Sequence, residues 1–362
     1  MTIVLYFLFA LSVFTPIYTY ALYPLVLKLL KAKMYRTDVG FKPRVSAVIV
    51  SRDSNSVAEE AIIEQKLQNI VASNYPTDAL TILVAHSISK LNEIVSKADG
   101  QLILFTDTTT ELDEKAITNL VARFSDERIG CVCEQLRKRP DKDGKPTEGA
   151  FWKYENMVKR FESGIGRLSG ANNGLYAVRK CVLTPINEEI ISLDFYISTF
   201  FLQAGWDVVM AEEAVAYERT EQADGINFDK HVKDGAGYYQ ALRIFWKLLL
   251  PRKGSFTYVS HRVMKWFVWV NMVVTLLVSS VLACSSNLML VLFLFQILLY
   301  VQSIVYWILV VKNNNVVKGS VGQFAAIVFY FLSINISYFL GCFKGKQKRR
   351  DDSRGGKRSN DK

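Results

Sequence analysis

The stretch from Lys90 to Thr110, KLNEIVSKADGQLILFTDTTT, decides how this chain folds. Leu91 to Ala98 carries the spacing of a short helix. Gln101 to Thr106, QLILFT, is an apolar run rich in strand formers, and it leads directly into one acid, Asp107. A helix followed at once by a buried strand is half of a repeating unit, and the other half lies upstream. VSAVIV (Val45 to Val50) predicts a strand. Ser56-Val-Ala-Glu59 has the form of a capping box, and Val57, Ala61, Ile62 and Ile70 then recur at helical spacing. Asn74-Tyr75-Pro76 ends that helix, and Leu80 to Ala85 predicts the next strand. Alternation at this spacing implies an α/β fold with a mixed, mostly parallel sheet and helices on both faces. Ligands of such sheets bind beyond the carboxyl ends of the strands. Asp107 therefore stands at a ligand-facing position.

Downstream the pattern continues with a helix from about Asp113 to Phe124 and a strand, IGCVC. RKRPDKDGKPTEG (Arg137 to Gly149) is polar and rich in turn formers, and Trp152 to Phe161 is helical again. Next comes SGANNGLYAVRKCVLTPINEEIISLDFYIS, residues 169–198. It opens on a Gly/Asn turn, passes through a strand from Leu175 to Arg179 and reaches a second notable acid, Asp194, where a helix begins. That helix runs through Gln203 to Gly205, and WDVVMA is the last clear strand. Gly164-Ile-Gly166-Arg-Leu-Ser-Gly170 is not a dinucleotide fingerprint, because it follows a helix and has one residue too many before its last Gly.

The two ends have a different character. Residues 2–30 form an apolar run long enough to cross a bilayer, without the basic start or the cleavage site of a signal peptide. Lys28, Lys31, Lys33 and Arg36 follow, which by the positive-inside tendency places the middle of the chain in the cytoplasm. After Asp194, RIFWKLLLP alternates aromatic and basic residues, as expected of a helix in the membrane interface. Three further apolar runs follow: Trp266 to Cys284, Leu288 to Val311 and Val321 to Phe343. The expected organisation is an anchor at 1–36, a catalytic α/β domain at 44–235, interfacial helices at 236–262, membrane helices at 263–343 and a basic tail at 344–362. One span before the domain and three after it would put the tail outside, whereas its charge favours the inside.

The formal charge of +10 is concentrated in that tail, where nine Lys/Arg stand against three Asp. The tail has no aromatic residue for stacking on bases and directly follows an apolar run. Anionic headgroups therefore suit it better than nucleic acid. Five cysteines and three histidines without metal-ligand spacing make a zinc centre improbable. Cys131 and Cys133 fit two small residues on one face of a strand.

An acid at a strand end facing the ligand edge suits Mg²⁺ or Mn²⁺ with a diphosphate, since both cations prefer oxygen ligands. Asp107 equally suits a helix N-cap, with Thr108 to Thr110 as further capping residues. Asp194 fits a general base or, again, an N-cap.

The order of these segments resembles the membrane-bound family 2 glycosyltransferases, which have a GT-A, Rossmann-like fold and use nucleotide-sugar donors. The likeness covers roughly Arg44 to Trp266. It rests on VSAVIV, NYP, KLNEIVSKADGQLILFTDTTT, SGANNGLYAVRK, LDFYIS, AGWDVVMAEEAVAYE, KHVKDGAG and VSHRVMKW in that order. The resemblance implies that Asp107 is the first acid of the D-x-D motif and the ligand of Mg²⁺ or Mn²⁺, with Thr109 in the place of the second. It makes Asp194 the base that deprotonates the acceptor hydroxyl in an inverting displacement. Lys230 and Lys233 would contact the diphosphate, and Gly170, Ala171, Asn172 and Asn173 would line the sugar and acceptor. The first loop, SRDSNS, lacks the usual Asn-Glu, with Asp53 as a partial substitute. Ala85 or His86 replaces the acid that reads the nucleotide base. The segment from Ala85 to Lys90 is short by about one strand–helix unit, and the Q-x-x-R-W motif of processive synthases is absent.

The function implied is transfer of a sugar to a lipid-linked or polysaccharide acceptor at the cytoplasmic face of the plasma (inner) membrane, in exopolysaccharide, capsule or related glycan synthesis. The alternative is a catalytically weak relative serving as scaffold or partner subunit in a polysaccharide-assembly complex. Thr109 and the missing base-reading acid point that way.

Overall fold

The computed structural model describes residues 2–51, 57–139, 148–218, 228–312 and 319–358. In chain order it has α1 (Thr2–Ile17), α2 (Tyr23–Leu29), β1 (Val45–Val50), α3 (Val57–Val71), β2 (Leu80–Ala85), α4 (Ile88–Lys97), β3 (Leu102–Asp107) and β4 (Thr110–Leu112). There follow α5 (Ala116–Ala122), β5 (Ile129–Lys138), α6 (Ala150–Gly164), β6 (Leu175–Arg179), α7 (Leu193–Gln203), β7 (Asp207–Glu218) and α8 (Phe228–Ile244). Two single turns, α9 (Ser255–Thr257) and α10 (Met264–Trp266), precede α11 (Val268–Leu282), α12 (Asn287–Tyr306) and α13 (Ser320–Arg358). The chain divides into two compact units. One is Pro24–Glu221 with Phe245–Tyr258; the other is Met1–Tyr23, Gln222–Ile244 and Val259–Lys362.

The first unit holds a seven-stranded sheet in the order β2-β1-β3-β6-β5-β7-β4. It is mixed, as expected, but not mostly parallel. β1 is parallel to β2 and β3, and β5 to β7, whereas β6 is antiparallel to both β3 and β5 and β4 is antiparallel to β7. Local periodicity does not encode strand direction, so the sequence pattern implies a larger parallel share than the sheet has. The central strands are buried on both faces, so VSAVIV reads as a continuous apolar run instead of alternating. Val45, Ala47, Ile49, Leu102 and Leu104 form one core with Ile70 of α3 and Ile117, Leu120 and Val121 of α5. Each of the Val, Ile and Leu side chains contributes about 1.5–3 kcal/mol on burial. Phe105 of β3 stacks on Tyr176 of β6 at 5.2 Å and belongs to the other face. Against that side lies α7, whose Phe201 abuts Gly130 so closely that any side chain there would collide.

The capping-box Ser56 lies outside the described residues. Glu59, its expected partner, accepts the Ser51 hydroxyl instead. RIFWKLLLP is divided between the units, and its second part packs on α7. Phe245 meets Tyr196 at 5.3 Å, while Trp246, Leu249 and Leu250 stay exposed.

Among the described residues, Thr2–Leu29, Asn287–Val310 and Ser320–Lys344 are long and apolar enough to cross a bilayer. The fourth apolar run lies in a pair of helices, Ser255–Trp266 and Val268–Leu282, bent by 53° at the break. α8 packs along α13 through glycine. A methyl at Gly341 would stand 2.8 Å from the backbone of Gly235 and Ala236.

Candidate functional site

β3 delivers Asp107 to its carboxyl end, as the sequence predicts, and buries it. Its carboxylate is gripped from all sides. One oxygen accepts the Thr109 backbone N–H at 3.1 Å and the Thr110 hydroxyl at 3.0 Å. The other accepts the Thr109 hydroxyl at 2.7 Å and the Asn173 amide at 3.0 Å. Asp107 is therefore no N-cap, since β4 and not a helix follows it.

The loop between α6 and β6 is the second component. Ser169 is anchored by its N–H and hydroxyl to the buried Glu162 carboxylate. Ala171 donates its N–H to the Ser198 hydroxyl of α7 at 3.0 Å, and that hydroxyl donates to the Asp194 carbonyl at 2.8 Å. Asn172 takes the Lys159 ammonium on its side-chain oxygen and donates to the Glu134 carbonyl. Gly174 accepts the Thr106 hydroxyl at 2.6 Å. The loop thus ties the end of β3 to the first turn of α7. Asp107, Thr109, Gly170, Ala171, Asn172, Asn173 and Asp194 all belong to this one connected region.

Asp194 is the second residue of α7 and not its cap, a position held by Ser192. Ser192 donates its hydroxyl to the Asp194 carboxylate at 3.0 Å. The half-buried carboxylate keeps its second oxygen for a further proton or donor. Asp53 lies outside the described residues, and Lys230 and Lys233 are on α8, in the other unit.

Two buried groups were not singled out in the sequence. Lys66 sits on the apolar stripe of α3 between Ile63 and Ile70 and is fully buried. Its ammonium donates to the carbonyl of Thr110 at 2.8 Å. A cation at i+3 in an otherwise apolar stripe was the available signal. Glu134 of β5 is also fully buried, and neither carboxyl oxygen has a hydrogen-bond partner. Desolvation pushes its carboxyl up to about 8, against the pull of the nearby backbone N–H groups of Glu134 and Leu175 and of Lys159, with a small reinforcement from the Asp107 charge. It stands beside the loop: a methyl at Gly174 would lie 2.8 Å from Glu134 Oε1 and 3.0 Å from Thr110 Cγ2. Only glycine fits there.

A second polar node lies elsewhere in this unit. Asp207, at the start of β7, accepts from Lys33 at 2.7 Å, Tyr35 at 2.9 Å and Arg167. Burial opposes its ionisation, but these donors outweigh it and hold the carboxyl below its usual range. Gly166, next to it, has φ +68°, and a side chain there would strike the Tyr35 hydroxyl.

No protein-family model and no characterised protein sequence matches the chain. Its structure does match. The mannosyltransferase PcManGT from Pyrobaculum calidifontis, solved with GDP-mannose and Mn²⁺, aligns over 93% of this chain and 98% of its own, with 14% identity and TM-score 0.65. The two proteins share a fold. GalNAc-T7 with UDP, GalNAc and Mn²⁺ aligns over 62% of this chain and 56% of its own, at 12% identity and TM-score 0.33. S. aureus TarS 1–349 with UDP-GlcNAc aligns over 63% and 71%, at 10% identity and TM-score 0.38.

Whether the site suits a divalent cation depends on its donors. Among the described residues no three His, Cys, Asp or Glu side chains converge on a common point. The Asp107 carboxylate has all four acceptor positions taken, and Thr109 offers only a neutral hydroxyl. A hard cation prefers free carboxylate oxygens. As arranged, these residues do not form a ready Mg²⁺ or Mn²⁺ site.

Proposed function

We propose that the protein is a membrane-associated glycosyltransferase that moves a sugar from a nucleotide-sugar donor to a lipid-linked or polysaccharide acceptor at the cytoplasmic membrane face. The observation that carries this reading is the Ser169–Gly174 loop. Through Asn173 it holds Asp107, and through Ala171 and Ser198 it is held by the helix that bears Asp194. The likeness of nearly the whole chain to a mannosyltransferase fold supports it.

In this reading Asp194 is the general base. The acceptor oxygen forms its bond to the anomeric carbon, the bond to the diphosphate breaks, and the hydroxyl proton passes to Asp194, with inversion. Ser192 fixes the carboxylate for that step. Asp107, Thr109 and Asn173 position the donor, and Gly170 to Asn173 line the sugar. Asp53, Lys230 and Lys233 are assigned to the nucleotide and diphosphate. Because the donor set does not suit a cation, no step is assigned to one. The charge on the departing diphosphate then falls to basic side chains, and Lys159 of α6 reaches the same loop through its bond to Asn172.

A scaffold role in a polysaccharide-assembly complex is the second reading. It is favoured by the same filled carboxylate, which has no vacant acceptor position to offer a ligand. Calorimetric titration of the detergent-purified protein with UDP and with GDP, each with and without Mn²⁺, separates the two. Micromolar binding that disappears in Asp107→Ala supports the transferase. Absence of binding of either nucleotide leaves the scaffold.

A further inference from the structure

The helices of the membrane unit act as rulers of depth for one another. α1 and α11 run antiparallel: Ser12 meets Thr275 at 2.8 Å, Tyr18 just beyond α1 meets Ser260 at 2.9 Å, and Leu5 and Phe9 pack against the cluster of Val278, Leu282 and Met289. α11 and α12 form an antiparallel hairpin, with Gln296 donating to the Met272 carbonyl at 3.2 Å and Met289 against Leu282. Counting one residue back for each residue forward as far as the bend at Phe267, and reading depth along the unbroken α12, Trp269 is level with Leu299 and Tyr20 and Phe267 with Val301.

α13 touches all three helices at this one level. Gln302 donates to the Ala325 carbonyl at 3.3 Å, Phe329 meets Tyr306 at 5.3 Å and Phe331 meets Tyr20 at 5.8 Å. Phe339 meets Trp269 at 4.9 Å, and Tyr338 meets Tyr238, which stacks on Trp266. From Ala325 to Phe339 the helix advances about 21 Å along its own axis. Its contacts stay within the slice of α12 from the level of Leu299 to Tyr306, roughly 10 Å of α-helical rise. A helix crossing beside α1, α11 and α12 would instead meet them at steadily changing depth.

We infer that α13 does not cross the membrane but lies across one end of a three-span bundle formed by α1, α11 and α12, embedded at the headgroup–acyl boundary. The level it occupies carries Tyr18, Tyr20, Trp266, Trp269, Tyr306 and Trp307, the residue types that gather at membrane–water interfaces. Phe324, Ile327, Ile336, Leu340 and Phe343 remain exposed on α13, a surface that belongs against acyl chains and not water. Ser333 and Ser337 turn inward and are buried. With three crossings, the amino terminus and the α11–α12 turn at Cys284 share one side. The basic tail emerges on the other, the side on which the Lys28–Arg36 cluster follows α1. Both basic segments then obey the positive-inside tendency, and the charge conflict in the sequence disappears.

The test is a membrane-impermeant maleimide applied to sealed right-side-out and inverted vesicles containing Ser359→Cys. Labelled peptides are identified by mass, with native Cys284 as reference and detergent-opened vesicles giving total reactivity. Labelling of residue 359 and Cys284 from opposite sides is the expected result, and labelling from the same side overturns the inference. A second readout uses the exposed positions Phe324→Cys and Leu340→Cys, each carrying a fluorophore quenched by lipids labelled at graded depths. Equal depths support the flat helix. A difference near the ~24 Å that sixteen residues of helix span overturns it.

Discussion

Glu134→Gln should make the protein more stable and remove the part of its pH dependence between pH 5 and 8 in which stability falls as pH rises. The buried Glu134 carboxyl keeps its proton up to about pH 8 in the fold, against 4.5 for its ordinary value. The unfolded chain releases that proton as pH passes 4.5, whereas the folded protein holds it. Stability therefore falls as pH rises through this window, by about 1.4 kcal/mol per unit. Across the window the loss amounts to roughly 4–5 kcal/mol. For a unit of this size that corresponds to roughly 10–15 °C in midpoint. Glutamine has the same shape and does not titrate. Thermal unfolding of detergent-solubilised protein, followed by tryptophan fluorescence at intervals from pH 5 to 8.5, should show the wild-type midpoint falling steadily relative to that of the variant as pH rises. The lowered carboxyls of Asp126 and Asp207 act only in acid, and His231, held down to about 4 chiefly by burial, adds stability as pH rises to 6.5 in both proteins alike, so the difference between them isolates Glu134. Parallel slopes in the two proteins would refute the reasoning.

Asp194→Asn should bind nucleotide as the wild type does yet lose about 10²–10⁴-fold in turnover, the usual contribution of a positioned base; paired calorimetry and a sugar-transfer assay read this directly. Gly174→Ala places a methyl 2.8 Å from Glu134 Oε1 and should cost about 1–3 kcal/mol. Much of that should be recovered in the background of Glu134→Ala, measured as a double-mutant cycle in denaturant. Asp207→Ala strands Lys33 and Arg167 and should destabilise by roughly 2–4 kcal/mol at neutral pH. Because the Asp207 carboxyl is held below its ordinary range, its contribution is complete above that range and fades as pH falls through the lowered value. The gap between wild type and variant should therefore close in acid, as unfolding midpoints from pH 7 down to pH 3 would record.

The strands and most helices were legible because their signals are local. QLILFT, VSAVIV and LYAVR carry burial on their faces, and each became a strand within a residue of its expected bounds. Strand direction was not legible, since β6 inserts antiparallel between β3 and β5 through contacts far apart in sequence. Asp107 could be located at a strand end from the pattern alone. That four donors would fill its carboxylate could not, because Asn173 reaches it from a loop 66 residues away. Lys66 and Glu134 were passed over for the same reason. A charge in an apolar segment gives no hint of whether the fold will expose it or enclose it. Hydropathy marked α13 as membrane-seeking but carries no information on its direction relative to the other helices.

The Asp207 node also bears on how the protein is made. Lys33 and Asp207 are 174 residues apart, and Tyr35 is nearly as distant. At about 5–20 residues per second, the ribosome needs roughly 10–35 s to add that much chain. The segment behind the first apolar helix, tied meanwhile through Arg36 to Asp126 and through Met34 to Arg128, must therefore wait for this last anchor while most of the sheet is synthesised. A nascent chain stalled before β7 would leave Lys33 and Tyr35 open to proteases. Completion of β7 would close that interval of vulnerability in a single step.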